Sequence, residues 1–150
     1  MKNLNNFIKE GLRINKNIKI NKYHPKTRDE LKELINKLLK ERGYNANLND
    51  IDTSEITDMH SLFLCSRFNG DISEWDVSNV ENMNMMFKNS YFNKDISKWN
   101  VSKVKKMTWM FKDSDFNQNI SNWDISNVED MDHMFEDCPL EKNPPKWYKE

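Results

Sequence analysis

The sequence is poor in the residues that build several familiar kinds of site. It holds only 3 glycines, 4 prolines and 2 cysteines among 150 residues. Phosphate-binding loops need several glycines close together, so that class of site is excluded. The cysteines, Cys65 and Cys138, are too few for a framework of disulfides. A formal net charge of −1 excludes a generally basic nucleic-acid binder, so nucleic acid is not expected as a partner.

Long hydrophobic runs are also lacking. No apolar stretch approaches the roughly 18 residues that span a bilayer, so no membrane span is expected. The first residues contain no continuous apolar segment of about 7 residues, which excludes a secretory signal and favours a cytoplasmic or virion-associated location over the cell surface. Only 37% of residues are hydrophobic and 31% are charged, a composition that leans toward disorder. The aromatic residues argue against disorder because they recur at fixed positions.

A 24-residue repeat organises the chain from Tyr44 onward. Its most regular members are the phenylalanine, tryptophan and methionine positions Phe68, Phe92, Phe116, Trp75, Trp99, Trp123, Met83, Met107, Met131, Phe87, Phe111 and Phe135. The register predicts four repeats, at 44–67, 68–91, 92–115 and 116–139, followed by a C-terminal cap at 140–150. A single repeat cannot bury its apolar face alone, so neighbouring repeats are expected to stack.

Each repeat is predicted to contain a short strand and a capped helical segment. Ile72, Trp75 and Val77 have the spacing of a leucine-rich-repeat strand, and Val80–Lys88 has helical spacing. Ser78 followed by Glu81 has the pattern of a capping box. The predicted parallel strands are Leu48–Thr53, Ile72–Val77, Ile96–Val101 and Ile120–Ile125. The predicted fold class is therefore α/β, a leucine-rich-repeat-like solenoid with a helical N-terminal cap.

The segment Phe68-Asn-Gly-Asp-Ile-Ser-Glu-Trp-Asp-Val-Ser-Asn-Val-Glu-Asn-Met-Asn-Met-Met-Phe87 resembles the repeat unit of the BspA-like leucine-rich repeat family. The resemblance extends from Tyr44 to roughly Tyr148. It implies a right-handed solenoid and a binding role, often on bacterial surfaces or in mobile elements. The first repeat departs from the pattern, with Ile51 in place of tryptophan, as suits a terminal repeat that meets a cap.

Residues 1–43 do not follow the repeat and are predicted to form a helical N-terminal segment and cap. Thr27 and Glu30 form a capping box, and Gly43 ends the helix. The apolar face of this helix consists of Leu31, Leu34, Ile35, Leu38 and Leu39. The cap holds 12 Lys and Arg against 5 Asp and Glu, and residues 44–150 hold 11 against 19. The cap is either a solvated cover beside acidic repeats or a contact for an acidic partner or a phosphate backbone.

Residues with chemical potential do not converge on a catalytic or metal site. With repeats stacked at about 4.8 Å, His60 and His133 would lie about 14 Å apart, too far to share a metal. The rows of aspartates, among them Asp52, Asp76 and Asp124, could bind calcium, although the local Asp-x-Ser pattern favours backbone capping. The tryptophan column could stack on glycans, but its spacing places it in the core. The sequence predicts no enzyme, no cofactor and no metal.

The predicted function is a non-catalytic protein-binding repeat module that uses the solvent-facing strand surface. Core positions recur faithfully, whereas Glu74, Lys98 and Asn122 differ in charge at one repeat position. The predicted partner-binding residues are Ser73, Glu74, Asp76, Ser97, Lys98, Asn100, Ser121, Asn122 and Asp124. The partner is another protein that the sequence does not name, and the chain itself is expected to be a monomer.

An alternative prediction is a structural or packaged component of a phage or other mobile element. The opening residues resemble the short amphipathic leaders of some tailed-phage head proteins. Residues 1–20 would then be a docking segment, with Lys2, Phe7, Lys9 and Arg13 as its contact residues.

Overall fold

The computed structural model describes residues 21–149, in which one helix precedes a long series of turns. Helix α1 spans Arg28–Arg42, and a short 3-10 helix spans Pro139–Lys142. In this part of the chain the only β pairing consists of isolated parallel bridges, Tyr23↔Ile51, Asn47↔Asp71, Asp58↔Asn82, Asn82↔Lys106 and Lys106↔Asp130. The last four join residues 24 positions apart, so successive repeats lie in register.

The prediction of a right-handed, BspA-like leucine-rich-repeat solenoid is wrong for these residues. The segments predicted as parallel strands, Leu48–Thr53, Ile72–Val77, Ile96–Val101 and Ile120–Ile125, form turns and irregular backbone without a sheet. The predicted helical wall at Val80–Lys88 and its equivalents is also made of turns. The α/β class is therefore replaced by stacked turns that a single helix covers.

Short polar side chains explain why no strand forms. Asp71 Oδ1 accepts the backbone N–H of Ser73 at 2.9 Å, and Asp76 Oδ1 accepts that of Ser78 at 3.0 Å. Such Asx turns reverse the local backbone direction. Between them the N–H of Trp75 donates to Ile72 O at 3.1 Å, which closes a further turn. Ser78 therefore belongs to a turn, and its predicted capping box with Glu81 does not form.

Two residues with positive φ in each repeat explain why no helix forms in the wall. The angles are 56° at Met85 and 52° at Asn89. The equivalent residues in the other repeats are also left-handed: Ser61, Cys65, Trp109, Asp113, His133 and Asp137. A right-handed helix cannot contain such residues. A type II turn requires a residue with positive φ at its third position, which is Met85 in the turn 83–86. The hydrogen bond that closes this turn runs from the N–H of Met86 to Met83 O at 3.2 Å.

These turns stack through a regular set of backbone hydrogen bonds, which we call the turn ladder (residues 59–65, 83–89, 107–113 and 131–137). In one interface, alternate N–H groups donate to the next repeat at 2.8–3.0 Å, from Met83, Met85, Phe87 and Asn89 to the carbonyls of Lys106, Thr108, Met110 and Lys112. The interfaces on either side repeat all four bonds. Because the amides of one repeat satisfy carbonyls of the next, the turns need no strand to hold them together.

Two columns of phenylalanine fill the core behind the turn ladder. The rings of Phe63, Phe87, Phe111 and Phe135 stack with centroids 5.5, 5.6 and 5.9 Å apart, and their planes differ by 2–3°. The second column comprises Phe68, Phe92 and Phe116, with centroids 6.0 and 6.2 Å apart. Large aromatic rings bury much apolar area per residue, so they supply a core that a chain with few apolar residues would otherwise lack.

The tryptophan column is buried, which confirms its predicted inward position. Trp75, Trp99 and Trp123 are 3–4% exposed. Each indole Nε1–H donates to a carbonyl 27 residues earlier; that of Trp99 bonds to Ile72 O at 3.2 Å. The asparagine that recurs every 24 residues also supports the backbone, because Asn69 Oδ1 accepts the N–H of Asn93 at 3.0 Å.

Helix α1 forms as the sequence predicts. The side chain of Thr27 accepts the N–H of Glu30 at 3.2 Å, and Gly43, with φ of 83°, donates its N–H to Leu39 O. The side chains of Leu31, Ile35 and Leu38 are buried in the same core cluster as the repeats. The helix therefore covers apolar surface at the N-terminal end of the stack.

A first prediction concerns the left-handed positions. Asp113 has φ of 57° and is exposed, so Asp113→Gly should be more stable than Asp113→Ala by about 1 kcal/mol, because a Cβ in this conformation costs about 1–2 kcal/mol. Asp115 is exposed and lacks a positive φ, so the order should reverse there by about 0.4–1 kcal/mol. Urea denaturation of the four variants measures both differences. The same order at both positions would contradict the turn geometry.

A second prediction concerns the tryptophan column. Trp99→Ala should cost about 3–5 kcal/mol of unfolding free energy, the usual range for a buried aromatic residue. Trp147 makes the same indole bond, to Ile120 O at 3.2 Å, but is only partly buried. Trp147→Ala should therefore cost clearly less in the same denaturation experiment. Equal losses would show that the indole bond, and not burial within the column, sets the cost.

Candidate functional site

The predicted partner-binding residues occupy two kinds of position. Some side chains turn back onto their own backbone: Oδ1 of Asp76, Asn100 and Asp124 accepts the N–H of the serine two residues later at 3.0–3.1 Å. The N–H groups of Ser73, Ser97 and Ser121 likewise donate to Asp71, Asp95 and Asn119. These six residues maintain the turns. Glu74, Lys98 and Asn122 are exposed at the remaining position of each repeat.

Hydrogen bonding keeps the turn aspartates ionised. The backbone N–H of Ser73 lowers the pKa of Asp71, and that of Ser97 lowers the pKa of Asp95. The hydroxyl of Ser126 has the same effect on the pKa of Asp124. Each bond favours the carboxylate over the protonated acid. These side chains therefore contribute fixed negative charge to the surface at neutral pH.

An open groove runs along this surface. Its larger part has a volume of about 550 Å³ and is lined by residues that include Asn69, Gly70, Asp71, Glu74, Lys94 and Lys98. Its continuation, of about 430 Å³, is lined by Asp95, Ser97, Gln118, Asn119, Ser121 and Asn122. We call these two parts together the polar groove. Its lining residues come from all four repeats, and the predicted variable residues Glu74, Lys98 and Asn122 are among them.

Gly70 shapes the floor of the polar groove. A Cβ atom there would lie 2.0 Å from the carbonyl oxygen of Ala46, so only glycine permits this backbone approach. The N–H of Asp71 donates to the same carbonyl at 3.1 Å. The repeat position that is Gly70 in one turn is Lys94 in the next. At this position the lining of the groove is therefore bare backbone in one repeat and a long cationic side chain in the next.

Asn69 and Lys94 are groove residues that the partner-binding prediction missed. Asn69 accepts a backbone N–H of the next repeat, and the same side chain lines the groove. Lys94 lies outside the segments predicted as strands. The variation of Gly70, Lys94 and Gln118 at one repeat position is the signal that would have indicated a second variable row. Asn122 carries an additional structural bond, because its Nδ2 donates to Ser97 O at 2.8 Å.

The histidines and cysteines lie apart from the polar groove. His60 Nδ1 is 2.9 Å from Asp58 Oδ2, and His133 Nδ1 is 3.4 Å from Glu136 Oε2. Cys65 is an exposed free thiol, and Cys138 is a buried one whose pKa is raised by burial. Between residues 21 and 149 no three His, Cys, Asp or Glu side chains are grouped so that they could hold a metal ion.

The alternative docking residues Lys2, Phe7, Lys9 and Arg13 lie outside the described residues.

The comparisons with other proteins assign the chain to a family. Within the described part of the chain, no helix combines the length and apolarity needed to cross a membrane. No curated protein and no solved structure matches the sequence. A family model described as "Mycoplasma protein of unknown function, DUF285" matches residues 29–147, which include all four repeats and nearly all of α1. The chain therefore belongs to the DUF285 family of Mycoplasma proteins of unknown function.

Proposed function

We propose that the protein is a non-catalytic protein-binding module and that the polar groove is its binding surface. The observation that carries this proposal is the contrast between neighbouring positions. Trp75, Trp99 and Trp123 are identical and buried, whereas the preceding residues are an acid, a base and an amide on the surface. A scaffold with a constant core and a varied face can change its partner without losing its fold.

The chemistry of the polar groove suits a polypeptide partner. Its lining combines carboxylates, such as Asp71 and Glu74, with the ammonium groups of Lys94 and Lys98. Mixed charges at fixed spacing select a complementary pattern of charges instead of one kind of ion. The turns that present them are held by backbone and side-chain hydrogen bonds, so little ordering is needed when a partner binds.

The alternative, a phage or mobile-element component with a docking segment at residues 1–20, stays a prediction. It depends on Lys2, Phe7, Lys9 and Arg13, which the structure does not describe.

A charge swap tests the polar groove. Glu74→Lys combined with Lys98→Glu keeps the net charge and exchanges two charges 24 residues apart. Because exposed substitutions usually change stability by less than about 0.5 kcal/mol, the melting temperature should hardly change. Partner capture from the native host, measured by quantitative mass spectrometry, should fall by about tenfold or more, because misplaced charge at an interface costs several kcal/mol.

The matched control exchanges another pair with the same spacing. Lys105 Nζ lies 2.8 Å from Glu81 Oε2, and neither residue lines the polar groove. Glu81→Lys combined with Lys105→Glu should leave capture unchanged. A third protein, with Lys2, Lys9 and Arg13 changed to Glu, tests the alternative. If capture is lost only in this third protein, the polar groove is not the binding surface.

A further inference from the structure

A second groove lies between helix α1 and the first repeat. One face of the helix, formed by positions 28, 32, 36 and 40, follows the turn ladder of this repeat. Arg28 Nε donates to His60 O at 3.1 Å, and Lys32 Nζ donates to Leu62 O. These are alternate carbonyls of the kind that accept backbone N–H groups elsewhere in the turn ladder. The cations of α1 therefore replace the hydrogen bonds that a preceding repeat would make.

The contact between α1 and the turn ladder ends at Leu64. The carbonyl of Leu64 is the next alternate acceptor, and none of residues 21–149 donates a hydrogen bond to it. At this point a cavity of about 610 Å³ opens, lined by residues that include Lys32, Asn36, Lys40, Tyr44, Leu64 and Arg67. We call this cavity the basic groove. Its volume lies within the range of about 300–1,000 Å³ that is usual for ligand sites.

The basic groove has a uniform charge. Three of its lining side chains are cations, and no carboxylate of the described residues lines it. Lys40 and Arg67 form no ion pair with any residue between 21 and 149. Arg42, which follows Lys40 closely in α1, does form one, with Asp50 at 2.9 Å. Arg67 instead lies over the ring of Tyr44, with 5.1 Å from its Cζ to the ring centroid. An anionic group is therefore the complement that this surface lacks.

Apolar surface accompanies these charges. Tyr44 is 46% exposed and Leu64 is 37% exposed, and both line the basic groove. They are two of only four large hydrophobic side chains exposed in the described part of the chain. A ligand that covers them must carry an apolar group beside its negative charge.

We propose that the basic groove binds an acidic peptide segment of a partner protein, one that carries carboxylates next to an apolar side chain. The carboxylates pair with Lys40 and Arg67, and the apolar side chain covers Leu64 and Tyr44. A backbone N–H of the peptide donates to the carbonyl of Leu64. This last contact separates a peptide from inorganic phosphate, because at neutral pH phosphate offers three or more acceptor oxygens and few donors. The site is distinct from the polar groove, so it does not depend on the function proposed above.

A labelled peptide with the sequence Glu-Glu-Leu-Glu-Glu, blocked at both ends, tests this assignment by fluorescence anisotropy against the full chain. The chain should bind this peptide at least tenfold more tightly than Lys-Lys-Leu-Lys-Lys or Glu-Glu-Ser-Glu-Glu. Replacing the leucine by N-methyl-leucine should weaken binding severalfold if a backbone N–H is used. Inorganic phosphate at millimolar concentration should not displace the peptide beyond the effect of sodium chloride at equal ionic strength.

Variants with matched charge identify the site. Lys40→Glu combined with Arg67→Glu should weaken binding at least tenfold. Lys37→Glu combined with Lys149→Glu changes the net charge equally at exposed positions that do not line the basic groove, and it should stay within twofold of the parent protein. Lys40→Gln combined with Arg67→Gln provides the same test with a smaller change, should the reversed pair fail to fold.

Four results would overturn the proposal. They are no detectable peptide binding, equal losses in the two reversed pairs, displacement by phosphate as effective as by unlabelled peptide, and a dimer in sedimentation that the Lys40 and Arg67 variants abolish. The third result would indicate a simple anion site. The fourth would indicate that a second copy of the chain occupies the groove.

Discussion

The structure depends on the alternate backbone hydrogen bonds of the turn ladder. In each interface the N–H groups at four alternate positions, such as Met83 to Asn89, donate to carbonyls of the following repeat. The intervening turns require left-handed residues, and the chain places Met85 and Trp109 in that conformation at a cost of about 1–2 kcal/mol each. The cost is offset because a buried amide without an acceptor would cost about as much. Conformation and hydrogen bonding are therefore inseparable in this fold.

The strict 24-residue period follows from the turn ladder. A shift of one residue within the turn ladder would move each left-handed residue out of its turn and separate the stacked rings. The same register aligns equal side chains. Phe87 stacks on Phe111 with centroids 5.6 Å apart, and Asn93 Oδ1 accepts the N–H of Asn117 at 2.9 Å. Each side-chain column therefore repeats one favourable contact through the stack, as expected when neighbouring units supply most of the stability.

The sequence predicts the repeats, the buried columns and α1 because these depend on residue type. Thr27 and Gly43 have side-chain and backbone properties that mark helix ends, and large aromatic residues at a fixed period indicate a core. The backbone within a repeat could not be predicted in this way. Met85 and Trp109 are residue types that rarely adopt positive φ, so nothing in their identity indicates a turn. The Asp-x-Ser pattern did indicate turns, but a spacing shared with leucine-rich repeats suggested strands at the same positions.

The polar groove could be predicted from the sequence in part, whereas the basic groove could not. The polar groove contains residues whose variation along the repeat is visible in the sequence, such as Glu74 and Lys98. The basic groove joins Lys40 of the cap to Arg67 of the repeats, and only the packing of α1 brings them together.

The ion pairs between the cap and the first repeat show which cations of the cap are left without a partner at the basic groove. Side chains of the cap contact carboxylates of the first repeat. His24 Nδ1 lies 3.3 Å from Asp52 Oδ2, Lys26 pairs with Glu55, and Arg42 pairs with Asp50. The Arg42 guanidinium lowers the pKa of Asp50, so this pair stays ionised well below neutral pH.

Other cations of the cap, Arg28 and Lys32, donate hydrogen bonds to carbonyls of the turn ladder. Within residues 21–43, Lys26, Arg28, Lys32 and Arg42 therefore have a structural role, since they hold the cap against the first repeat. Lys40 lies on the same helix face as Arg28 and Lys32, beyond Leu62, the last carbonyl of the turn ladder to which α1 donates. Its charge has no partner within the described residues, and no carboxylate among them lines the basic groove that Lys40 shares with Lys32 and Arg67.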